Sequence, residues 1–88
     1  MKKQKVKLVI IEWLDSARPV AEWQHLSDYK KKNPISCVSV GFLIHDGDDV
    51  KALAPNMGDI SDKGNIQASG IIHIPTCSVR KVTELIEK

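Results

Sequence analysis

Eighty-eight residues, 42% of them hydrophobic, are the length of one small domain and a composition that excludes a disordered chain. A formal net charge of +2 is close to balance and speaks against a dedicated nucleic-acid binder. No apolar run is long enough to span a bilayer as a helix.

Residues 1–4 read as a disordered basic start, and residues 5–88 as a single domain. The lysines at the start are not followed by a clean apolar stretch and cleavage site, so the chain is expected to be cytoplasmic. Residues 5–14 form a first strand. Val6, Leu8 and Ile10 share one face, and Val9, Ile11 and Trp13 share the other. Both faces are apolar, so one should cover the core and the other a partner.

Asp15-Ser16-Ala17-Arg18-Pro19 breaks that strand. Asp15 or Ser16 can cap a helix, and Pro19 suits its first turn. Val20, Trp23 and Leu26 recur every three residues, which predicts a short helix or irregular turn over residues 20–31. Asn33-Pro34 ends it.

The clearest signal lies in residues 35–55. Two β-type runs, Ile-Ser-Cys-Val-Ser-Val-Gly-Phe-Leu-Ile-His and Val-Lys-Ala-Leu-Ala, flank Asp-Gly-Asp-Asp, which predicts a hairpin. Gly41 inside the first run marks a bulge, a bend or a close backbone approach. Residues 56–65 read as a polar loop and residues 67–74 as a fourth strand. Pro75-Thr76-Cys77-Ser78 reads as a tight turn with one 3₁₀ turn in it. A last strand is expected over residues 79–85, where the apolar spacing also fits a short terminal helix.

The fold class is therefore mainly β. The connectivity resembles a small SH3-like or Sm-like five-stranded barrel, with one short helix between strands one and two. Its expected core is Val6, Leu8, Val38, Val40, Phe42, Ile44, Leu53, Ile72 and Ile74. So small a core leaves apolar surface wet, and a dimer is the expected remedy, formed over Val9, Ile11 and Trp13 with Leu43 and Ile71.

The candidate chemistry is sparse. Cys37 and Cys77 form no Cys-x-x-Cys and read as thiols in a reducing compartment. Cys37, His45, His73 and Cys77 could supply zinc ligands, but Cys37 and His45 are far apart along one strand and the spacing matches no standard site. The stretch from Asp59 to Asn65 is similar to a calcium loop, yet Lys63 stands where an oxygen ligand is wanted and Gly70 where a bidentate Glu is required. Asp46, Asp48 and Asp49 read as turn residues. Ser39-Val40-Gly41 lacks the Gly-x-Ser-x-Gly elbow, and no Gly-rich loop precedes a helix to cradle phosphate. No catalytic residue, metal or cofactor is assigned, and an enzyme is not expected.

The aromatics carry more. Trp13 ends the first strand and Trp23 follows in the excursion, so in a barrel they would meet near one rim, with Arg18 between them in sequence. Trp13, Arg18 and Trp23 are the candidate ligand-binding residues: the rings to stack on a base or peptide, the guanidinium to hold a phosphate or carboxylate. The competing reading is that Trp23 plugs the barrel and Trp13 packs beside it.

The phrases Ile-Glu-Trp-Leu-Asp-Ser, Cys-Val-Ser-Val-Gly-Phe-Leu-Ile, Leu-Ala-Pro-Asn-Met-Gly and Ile-Ile-His-Ile-Pro resemble a family of small bacteriophage accessory proteins, over most of the chain from residue 11 to residue 82. The resemblance implies a non-enzymatic binding protein in the infected host's cytoplasm that counters a host defence. It would sequester a nucleotide-type signal, as a sponge, or block a host protein. The alternatives are an Sm-like nucleic-acid-binding module and a structural or assembly accessory protein.

Overall fold

The computed structural model describes residues 6–87, and the expected frayed start at residues 1–4 lies outside them. Within that range β1 (Lys7–Asp15), β2 (Ile35–Asp46), β3 (Val50–Ala54), β6 (Ile72–Pro75) and β7 (Val79–Glu84) form one antiparallel sheet in the order β6-β3-β2-β1-β7. β4 (Asn56–Gly58) and β5 (Gln67–Ser69) pair as a separate two-stranded sheet. The mainly β class, the β2–β3 hairpin and the terminal strand are as the sequence predicts.

The sheet is not closed. β6 and β7 are its two edges and do not pair with each other, so the expected barrel becomes an open, bent sheet. Two features bend it. A bulge between Leu43 and His45 sets Ile44 out of register against β3, and such an extra residue sharpens local twist. At Gly41 a Cβ would stand 2.8 Å from the Ala54 carbonyl oxygen, so only glycine lets the end of β3 cross β2 this closely. Farther along, Gly70 adopts φ +74, which splits the expected fourth strand into β5 and β6.

The core is Val9, Ile11, Leu53 and Ile74, with Trp13, Leu43, Ile72 and Val79 packed against it. This corrects the expected face of two strands. On β1 it is Val9 and Ile11 that are buried, while Val6 is half-buried and Leu8 is exposed. On β2 the inward residues are Cys37, Ser39, Gly41 and Leu43. Val38, Val40 and Ile44 are exposed and Phe42 is half-buried. The inward residues of β2 from Cys37 to Gly41 are small and stand beside the large ones of β1: Val9 pairs with Gly41, Ile11 with Ser39 and Trp13 with Cys37. Leu53, Ile72 and Ile74 sit inside as expected, Ile72 partly covered. The expected dimer surface of Val9, Ile11 and Trp13 is thus interior.

The predicted helix between the first two strands is also absent among the described residues. Residues 16–34 form an arm whose one helical element is a 3₁₀ turn, Leu26–Asp28, where the Asp28 N–H donates to the His25 carbonyl at 2.9 Å. A helix this short needs an apolar face to pack on, and the arm stands clear of the sheet. Val20, Trp23, Leu26 and Tyr29 are all exposed, Trp23 at 101%. The chain accordingly measures 61 × 26 × 23 Å. Its radius of gyration is 17.6 Å, against about 12 Å for a compact chain of this length. No helix among the described residues is long and apolar enough to cross a membrane.

Candidate functional site

The arm begins where the β1–β2 ladder ends, at the pair Asp15–Ile35. The Asp15 carboxylate accepts the Ser16 backbone N–H at 2.8 Å and turns the chain out of the strand. Beyond that turn Arg18 and Pro19 lead outward, and the 3₁₀ turn reverses the chain toward Lys30, Lys31 and Lys32.

Between the two limbs of the arm lies an open hollow of about 420 Å³, lined by Ala17, Arg18, Val20, Glu22, Gln24, Tyr29, Lys30 and Lys32. The volume falls in the range of small-ligand sites. Three cations line it against one carboxylate, with one phenol ring and the small apolar side chains of Ala17 and Val20. A guanidinium offers paired donors to a phosphate or carboxylate, lysines add point charge, and a tyrosine face can carry a planar ring.

Of the three expected site residues only Arg18 lines this hollow. Trp13 lies at the root of the arm, half-buried against the core, and its indole N–H donates to the Ser39 hydroxyl at 3.0 Å. Trp23 is on the arm with its ring in solvent. The two indoles therefore do not form one rim, because the arm carries Trp23 away from the sheet. Tyr29, Lys30, Lys32 and Glu22 replace them. The lysine run was a visible signal. That it folds back opposite Arg18 was not, since nothing in a polar nineteen-residue excursion fixes where its limbs meet.

The histidines and cysteines are dispersed. His45 and His73 flank Ala52 in one row of the sheet, while Cys37 is half-buried and Cys77 exposed, both as free thiols. Among the described residues no three His, Cys, Asp or Glu side chains gather closely enough to hold a metal ion. Asp59, Asp62 and Asn65 belong to a loop tied internally, by Asn65 donating to Asp62 at 2.8 Å and Gln67 to Asp59 at 3.0 Å.

Comparison with protein-family models, with curated proteins and with solved structures gave no match.

Proposed function

We propose that this chain is a non-enzymatic binding protein that takes up an anionic, nucleotide-type signalling molecule in the hollow of its arm. The observation that carries the reading is the meeting of Arg18, Lys30 and Lys32 with Tyr29 around one hollow. Phosphate groups would lie against the cations and a base against the phenol ring. Glu22 supplies an acceptor for a ribose hydroxyl or a ring amine. The resemblance to bacteriophage accessory proteins gives this capture a purpose, withdrawal of a signal on which a host defence in the cytoplasm depends. The strand order, with the last strand returning beside the first, supports an SH3-like or Sm-like plan in open form.

Calorimetric titration with a panel of cyclic and linear nucleotides tests the proposal. Binding heat is expected for at least one of them, reduced at least tenfold in affinity by Arg18→Ala and weakened by salt, as exposed charges require. Absence of heat across the panel at low salt overturns the nucleotide reading.

A further inference from the structure

β2 has a neighbour on both sides for only part of its length. β1 pairs with residues 35–43, but β3 pairs only from Phe42 onward, so the lane beside residues 35–41 holds no strand among the described residues. The lane is bounded at one end by Pro34 and at the other by Ala54 arriving beside Phe42. It reads Ile-Ser-Cys-Val-Ser-Val-Gly, with no charge and no proline. Natural sheets guard an exposed edge with such residues, or with bulges or a covering segment, and this stretch shows none of them. Val38 is 68% exposed and Val40 53%, although they sit in the strand at the centre of the sheet.

We propose that this lane pairs, antiparallel, with the same lane of a second copy of the chain, about a two-fold axis through Val38. Ile35 then lies opposite Gly41 of the second copy, Ser36 opposite Val40, and Cys37 opposite Ser39. Three observations select a second copy as the occupant. The first is length. In this register the pairing starts just after Pro34 and stops where the second copy's β3 begins, so the whole lane is used from both sides. A charge-free lane also meets its own copy without like-charge repulsion.

The second is the arm. Beyond Gly41 the lane of the second copy is filled by its own β3, so the chain preceding Ile35 must leave the sheet plane there. Asn33-Pro34 stands at that point. The arm then passes across the body of the second copy, which gives Trp23 and Leu26 a surface they lack in a single chain. The third is exposure. Val38 and Val40 on the lane and Trp23 and Leu26 on the arm are all exposed apolar side chains, and apolar surface gathered in this way marks an interface. Two-fold symmetry closes the assembly and removes the open edge.

The test uses the full chain and no ligand. Light scattering coupled to size exclusion at tens of micromolar is expected to give twice the 9.8 kDa chain mass. Val38→Lys is expected to give a single-chain mass with an unchanged far-ultraviolet spectrum, because that side chain is exposed. A native mass of one chain, or an assembly that Val38→Lys leaves whole, overturns the proposal. Register is tested separately by Val38→Cys in a Cys37→Ser, Cys77→Ser background. Mild oxidation should convert it to a covalent dimer, and failure to cross-link rules out pairing about Val38.

Discussion

The Trp13 indole N–H and the Ser39 hydroxyl are joined at 3.0 Å across β1 and β2, one row removed from the register pair Trp13–Cys37. The small inward side chains of β2 make this possible. A larger residue at position 39 would occupy the space the indole covers. The bond fixes the last fully packed row of the sheet before the ladder runs out into the arm. Trp13 is therefore an anchor for the arm's root.

Ser39→Ala should destabilise the domain by about 1–2 kcal/mol, because it strands a partly buried indole N–H as well as removing the bond. Urea unfolding measures the loss. In a Trp23→Phe background Trp13 is the sole tryptophan, and its fluorescence, excited beyond the tyrosine absorption of Tyr29, should shift to the red in Ser39→Ala. An unchanged midpoint and spectrum would show that the contact carries no energy.

The two faces of the sheet differ enough for a paired test. Ile11 is fully buried and Val38 is mostly exposed, although they lie on adjacent strands one register row apart. Ile11→Ala should cost about 2–5 kcal/mol, a large share of the stability of so small a domain. Val38→Ala should cost the single chain a few tenths of a kcal/mol, as surface changes do. To separate folding from association, the melts belong in the Val38→Lys monomer for Ile11→Ala and at high dilution for Val38→Ala. The reverse order of costs would restore the opposite face of each strand to the core.

That reversal is where the sequence was least legible. Positions 8–11 are apolar without a break, so alternation alone cannot say which parity of β1 points inward. On β2 the larger residues, Val38, Val40 and Phe42, all share one parity, and size favoured that parity for the core. The decision lies elsewhere, in the close crossing at Gly41 and the bulky side chains of β1 beside it, which are tertiary facts. Local turn chemistry was readable: Asp46 to Asp49 gives the hairpin, and Thr76–Ser78 forms the expected 3₁₀ turn after Pro75. In the arm, Val20, Trp23 and Leu26 have helical spacing, yet all three are exposed and none joins the core. Arg18 could be singled out as a solitary arginine in an exposed stretch, but its neighbours Tyr29, Lys30 and Lys32 arrive only when the chain doubles back.

Gly41 should tolerate no side chain. A Cβ there meets the Ala54 carbonyl oxygen at 2.8 Å and the Leu53 side chain at 3.2 Å. The carbonyl is backbone and cannot swing aside. Gly41→Ala must push β3 away from β2 and loosen Leu53, one of the few fully buried residues. A loss of about 1–3 kcal/mol is expected, as for other overpacked sites. Gly58→Ala is the control, since a Cβ there meets nothing within 4 Å. Equal thermal midpoints for the two variants would show that β3 does not cross at this point.

The β2–β3 hairpin carries the described residue whose titration shifts clearly. Hydrogen bonding from Lys51 holds the Asp46 carboxyl below its ordinary range, helped by the charges of Lys51, Lys7 and His45, while partial burial opposes them. A carboxyl with a depressed folded value contributes stability above its unfolded value, near pH 3.9, and loses it as pH falls through the folded value. Asp46 itself is well exposed, with a side chain 62% accessible, so solvent screens the pair and the effect is small. Lys51 is different: its side chain is only 15% accessible, and without Asp46 its ammonium would keep little compensation. Asp46→Asn should therefore lower stability at pH 7 by up to about 1 kcal/mol. The gap to the native chain should close as both are taken into strong acid, below the lowered folded value, where the native carboxyl is protonated too. Urea midpoints at a series of pH values provide the comparison. A gap that stays constant down to strong acid would mean that the substitution acts through packing in the hairpin and that the ion pair contributes nothing.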